Sequence, residues 1–194
     1  MPHYKKLSGE KCYLSPCRPE DAAKWAQWEN DLEVTLPLGD EAYCPSSPEK
    51  SEEWLREALK RQDHIFSIVD LATDEVIGRC LLFNLDQVNR QAMLGIVIGE
   101  KSYWSKGYGQ EATRLLVDYA FNLLNLNSLM LGVFAFNTRA IQCYRNVGFK
   151  EIGRRRQARI LGGQKHDAIL MDILAEEFES PYVRRLMPKG EPPR

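Results

Sequence analysis

The chain has 194 residues, 44% hydrophobic and 27% charged, with a net charge of −1. That length and balance suit one globular domain with a real core, and the charge argues against a nucleic-acid binder that works by bulk attraction. No apolar run approaches the roughly 20 residues a membrane span needs, and Met1-Pro2-His3-Tyr4-Lys5-Lys6 is followed by no apolar core of the secretory kind.

Residues 1–11 are polar and read as loosely held. Cys12-Tyr13-Leu14-Ser15-Pro16-Cys17 reads as a first strand, with Pro16 marking an edge or the strand's end. Pro19-Glu20-Asp21 puts a proline and two acids in a first helical turn, which predicts a helix to Asn30 burying Ala22, Trp25 and Ala26. Residues 31–47 are irregular, and loops this long are often binding loops. Ser47-Pro48-Glu49 starts a helix over 48–62, with Trp54, Leu55, Ala58 and Leu59 as its dry stripe. Strands over 64–69 and 76–83 form a hairpin around Thr73-Asp74-Glu75. A turn over 86–90 leads into a third strand, 91–98, so the three make an antiparallel meander.

The stretch 94–124 organises the rest. Leu94-Gly95-Ile96-Val97-Ile98 is a buried strand by its β-branched content. A turn-like segment runs to Gly107-Tyr108-Gly109, and helical spacing follows: Tyr108, Ala112, Leu115, Leu116, Tyr119, Ala120 and Leu123, with Glu111, Arg114, Asp118 and Asn122 opposite. Strand, glycine-bearing loop and helix N-terminus together make an anion cradle suited to phosphate, with Lys106 adding a cation at the mouth. The spacing is neither that of a P-loop nor that of a dinucleotide fingerprint. Beyond the helix, 128–134 is a buried strand parallel to 91–98, because a helix crosses between them. Asn137 caps a helix over 138–147 that Gly148 ends. Strands 149–160 and 164–174 close a hairpin around Leu161-Gly162-Gly163. The domain spans 1–180, and 181–194, rich in proline and charge, reads as a flexible tail.

Trp104-Ser105-Lys106-Gly107-Tyr108-Gly109 resembles the Gln/Arg-x-x-Gly-x-Gly/Ala motif of GNAT acetyltransferases, departing from it where Trp104 replaces Gln or Arg. Asn137-Thr138-Arg139-Ala140-Ile141-Gln142-Cys143-Tyr144-Arg145-Asn146-Val147-Gly148-Phe149 resembles the same family's Asn-x-x-Ala-x-x-x-Tyr-x-x-x-Gly-Phe segment, one strand later. The resemblance is to the branch holding ribosomal-protein N-terminal and spermidine acetyltransferases. It implies an α/β GNAT fold: a mixed, mostly antiparallel sheet with two splayed parallel central strands and flanking helices. Acetyl-CoA would lie in the splay, its diphosphate on Trp104, Ser105, Lys106, Gly107, Tyr108, Gly109 and Gln110. Its pantetheine would run along Ile96, Val97 and Ile98, with Asn137 touching the pantetheine or phosphate region. The resemblance makes Tyr144 the general acid, although a packed core tyrosine would show the same spacing. The oxyanion donor is expected among the backbone N–H groups of Ile96–Ile98.

The reaction implied is acetyl transfer to a primary amine, first a protein N-terminal α-amino group and alternatively a polyamine. A non-catalytic acetyl-CoA-binding regulatory module stands as the reading from another class. No general base is evident; Asp31, Glu33, Asp40 and Glu41 are the acids available to meet a cationic acceptor. Arg154-Arg155-Arg156 and Arg159 could guide an acidic or RNA-bound target, but such a run more often marks a solvated edge strand. The five cysteines form no Cys-x-x-Cys pair and read as free thiols in a reducing cytoplasm. His3, His64 and His166 show no ligand spacing, so no metal is expected. Neither membrane nor nucleic acid is expected as a partner. Many relatives dimerise, so a homodimer is admitted, with nothing in the chain to fix its interface.

Overall fold

The computed structural model describes residues 3–61 and 63–188. Among them, eight strands form one sheet: β1 Leu7–Ser8, β2 Cys12–Pro16, β3 His64–Asp70, β4 Val76–Asp86, β5 Gln91–Ile98, β6 Ser128–Phe134, β7 Lys150–Leu161 and β8 Gln164–Leu174. The helices are α1 Ala22–Glu29, α2 Leu32–Thr35, α3 Pro48–Lys60, α4 Tyr108–Asn122 and α5 Thr138–Val147. The strand order is β1-β2-β3-β4-β5-β6-β8-β7, antiparallel throughout except for β5 beside β6. β1 is an addition to the expected set, and Met1 and Pro2 lie outside the described residues.

The parallel pair holds for three positions only: Gln91 opposite Ser128, Ala92 opposite Leu129 and Met93 opposite Met130. Beyond Met93, β5 stays paired with β4 as far as Ile98, and β6 stays paired with β8 as far as Phe134. Each strand therefore keeps its outer neighbour while the inner edges part. Backbone polar groups along those edges need partners from elsewhere.

α4 is more buried than its amphipathic pattern predicts. Its expected wet face includes Glu111 and Asp118, yet Glu111 is buried and Asp118 is 0% exposed. The reason lies in the two ends of the chain, which fold over that face. Glu111 accepts backbone N–H bonds from Glu10, Lys11 and Cys12, each at 2.8 Å. Asp118 accepts from the Ser180 hydroxyl at 2.6 Å and from the N–H groups of Tyr182 and Val183 at 2.9 and 3.0 Å. Tyr182 and Val183, expected in a flexible tail, are thus held in place, and Val183 is buried; residues 189–194 lie outside the described residues. Asp118→Ala leaves those donors without an acceptor. It is expected to cost about 2–4 kcal/mol, read as a lower urea midpoint, because each buried unsatisfied group costs about 1–3 kcal/mol.

Two further expectations need correcting. Trp54 and Leu59 of α3 are 44% and 38% exposed; the buried stripe is Ser51, Leu55 and Ala58, and α3 ends at Lys60. Trp54 instead stands beside Arg79 and Trp25. The arginine run is only in part a solvated edge. β7 is indeed the last strand, and Arg154 pairs with Asp167 and Glu151. Arg159, however, is 5% exposed. The pairing register shifts between Arg155 and Arg159, so strict alternation fails and the guanidinium turns inward.

Candidate active site

The loop after β5 is built from contacts of its own side chains. Trp104 donates its indole N–H to the Ile98 carbonyl at 2.7 Å, folding the loop back on the strand end. Tyr103 and Tyr108 pack edge to face and both donate hydroxyl bonds to Asp70, at 3.3 and 3.0 Å. Burial and the Asp70 bond push the Tyr108 phenol up to about 12. Gly107, the N-cap of α4, has φ +89°, a conformation glycine adopts without strain. The first N–H to find a carbonyl in the helix is that of Glu111, bonded to Gly107 O at 3.0 Å. The N–H groups of Tyr108, Gly109 and Gln110 precede it and face outward as anion donors.

This N-terminus opens on a cleft of about 1070 Å³ that fills the splay between β5 and β6. Ile96, Val97, Ile98, Trp104, Ser105, Gly107, Gly109, Gln110, Asn137 and Tyr144 all line it. Lys106 and Tyr108 do not: Lys106 is exposed outside the lining, and Tyr108 is turned toward Asp70. A second cavity of about 1110 Å³ lies at the other end of α4, around Leu123–Leu126 and His64, and holds none of the expected site residues.

α5 aims Tyr144 into the cleft. The Asn137 side chain accepts the Ala140 N–H at 3.2 Å and starts the helix, and Gly148 stops it. Tyr144, seven residues after the cap, falls on the buried side with Ile141 and Val147, edge to face with Phe149. Burial holds its phenol well above the usual tyrosine range, so it keeps its proton at any working pH.

The other half of the cleft is walled by the loop after α2. Val34, Pro37, Leu38 and Glu41 line it together with Leu81 and Phe83 of β4. Of the four acids nominated from sequence, Asp31 and Glu33 are taken by Lys101, at 2.7 and 2.5 Å. Asp40 is not among the lining residues, whereas Glu41 is. Glu41 Oε2 is shielded from solvent and has no hydrogen-bond partner among the described residues. Arg159 holds this loop, donating to Gly39 O at 2.5 Å and Leu36 O at 3.4 Å between the rings of Tyr43 and Phe134. Nothing in the sequence marks that role, because Arg159 and its acceptors are 120 and 123 positions apart.

A family model, the acetyltransferase (GNAT) domain, matches residues 11–150. The chain belongs to the GNAT acetyltransferase family. An uncharacterised N-acetyltransferase of Bacillus licheniformis is 31% identical over 174 residues, covering 89% of this chain and 97% of that protein. Spermidine N(1)-acetyltransferase of Escherichia coli is 29% identical over 171 residues, 88% of this chain and 90% of that one. A putative ribosomal N-acetyltransferase of Bacillus subtilis is 35% identical over 102 residues, covering 53% and 55%. The crystal structure of spermidine N-acetyltransferase from Vibrio cholerae in complex with CoA and spermine superposes with a TM-score of 0.79 at 24% identity, covering 87% and 98%.

The protein is therefore an acetyl-CoA-dependent N-acetyltransferase, and its donor is acetyl-CoA. The cleft fits that donor: free N–H groups at α4 suit a diphosphate, and parted strand edges suit the amides of pantetheine, which can pair with them as another strand would. Among the described residues no cluster of three or more His, Cys, Asp or Glu could hold a metal, and no helix is long and apolar enough to cross a membrane.

Arg159→Ala is expected to loosen only the loop after α2, the side of the cleft left to the acceptor when acetyl-CoA fills the splay. The KM for the amine should rise about 10–100-fold, the range of one or two charge-assisted bonds, while the KM for acetyl-CoA stays within a factor of two. Steady-state kinetics with each substrate varied in turn checks this.

Proposed function

We propose that this enzyme acetylates a protein N-terminal α-amino group. The observation that carries the reading is the scarcity of free acid on this wall: Val34, Pro37, Leu38, Leu81 and Phe83 with one uncommitted carboxylate, Glu41, once Lys101 has taken Asp31 and Glu33, while the lining also holds the cations Arg155 and the Glu29-paired Arg79. One ammonium beside an apolar first side chain suits that surface. A polyamine carries several charges and would call for several free acids. An α-amino group also loses its proton easily, with an ordinary pKa of about 7.7–8.0 against about 10.4 for a lysine-like amine. That matches a site with no evident general base.

In this reading the neutral amine attacks the thioester carbonyl. A backbone N–H among Ile96, Val97 and Ile98 steadies the oxyanion. The C–N bond forms and the C–S bond breaks; Tyr144 gives its proton to the departing sulfur, and the proton shed by the nitrogen passes to solvent, from which the phenol is restored. The pH profile follows. Because Tyr144 keeps its proton, kcat/KM should climb through the acceptor's pKa of about 7.7–8.0, level off above it, and show no fall up to about pH 10. A decline beginning below pH 9 would place the titrating acid elsewhere.

A polyamine acceptor is the second reading, favoured by the spermidine acetyltransferases among the relatives. An acceptor screen with acetyl-CoA and thiol detection separates the two. Peptides with free N-termini should turn over well, and their N-terminally blocked, lysine-containing counterparts and spermidine poorly; fast turnover of spermidine would reverse the order. The cysteines of the described chain are all free, which supports a reducing, cytoplasmic setting.

A further inference from the structure

Arg139, the second residue of α5, holds its guanidinium carbon 3.8 Å from the centroid of the Trp104 indole. Trp104 is itself fixed by its bond to the Ile98 carbonyl. Both side chains line the cleft beside Ser105, Gly107 and Gly109. An indole face holds a guanidinium flat and leaves its N–H edge free to meet an oxyanion bidentately. Among the described residues no carboxylate lies within ion-pair distance of Arg139. Partial burial of the guanidinium draws its pKa below the usual arginine value.

Other positive charge at this end is limited: the Lys11 side chain lies beside Gly107, with its ammonium over the Tyr108 ring and outside the lining. The α4 N-terminus offers only about half a positive charge, and Lys106 stands outside the lining. Of the other arginines on the wall, Arg79 is committed to Glu29 at 2.8 Å and Arg155 sits across the cleft on β7. We propose that Arg139 is a phosphate ligand of bound acetyl-CoA, presented by the Trp104 indole to the mouth of the α4 N-terminus. The anion is a phosphate of the nucleotide end, either the diphosphate or the 3′-phosphate. The inference rests on the donor lying in this cleft and is independent of the acceptor.

The test is calorimetric binding of CoA, 3′-dephospho-CoA and pantetheine to the wild-type protein and to Arg139→Gln. The exposed position of Arg139 lets the variant fold, and an unchanged melting temperature verifies it. CoA should bind about 10–100-fold more weakly to the variant, the range of one or two charge-assisted bonds, while pantetheine binds both proteins within a factor of two. If dephospho-CoA shows the same loss, Arg139 holds the diphosphate; if it shows none, Arg139 holds the 3′-phosphate. An unchanged CoA affinity overturns the proposal by denying the contact. An equal loss for pantetheine overturns it by making Arg139 a support of the loop.

Discussion

Tyr144→Phe is expected to lower kcat by about 10²–10⁴-fold, the usual share of a positioned acid, with the KM for acetyl-CoA within a factor of two. The expectation follows from three observations. The phenol lines the cleft between the parted strands; it has an apolar packing partner in Phe149; and burial keeps it protonated. Phenylalanine preserves the ring and its contacts, so stability should barely move. At about 1.4 kcal/mol per tenfold, the loss amounts to about 3–5 kcal/mol of transition-state stabilisation. Steady-state thiol release measures it, and an unchanged kcat would make Tyr144 a core residue and nothing more.

Gly109 carries the second large effect, and its two readouts run in opposite directions. A Cβ at this position would lie 3.7 Å from Ile98 Cγ1 and 3.9 Å from Cys143 Sγ, both ordinary contacts. The fold can therefore accept Gly109→Ala, and a helical alanine is more stable than glycine by about 0.5–1 kcal/mol. The added methyl group would stand among the N–H groups proposed to hold the diphosphate. Acetyl-CoA should bind at least about tenfold more weakly, the loss of one charge-assisted bond, with a larger loss for Gly109→Val. Thermal unfolding should show a melting temperature equal or higher. A variant that is both less stable and normal in binding would mean that Gly109 serves the helix and not the ligand.

What the sequence could disclose depended on range. β5, α4, β6 and α5 emerge within a residue or two because hydrophobic period and capping are local signals: Gly107, Asn137 and Gly148 mark their own boundaries. Tyr144 and Asn137 could be nominated because the segment 137–149 resembles a family pattern. Glu111 and Asp118 were misplaced on a wet face because their partners are a hundred residues upstream and some sixty downstream. Helical periodicity cannot foresee chain ends that fold across it. Arg159 was hidden by a register shift that breaks the alternation used to read a strand. The Trp104–Arg139 stack joins two motifs that sequence reading treats separately, so neither residue alone announces it.

The backbone amides opening α4 are proposed to bind the diphosphate of coenzyme A and so to set its sulfur beside Tyr144. A crystal structure with CoA tests it most directly. Diphosphate oxygens are expected within hydrogen-bond distance of N–H groups in 107–110, pantetheine amides paired along Ile96–Ile98, and the Tyr144 hydroxyl facing the sulfur. CoA bound elsewhere, or a Tyr144 hydroxyl turned away from the thiol, would contradict it.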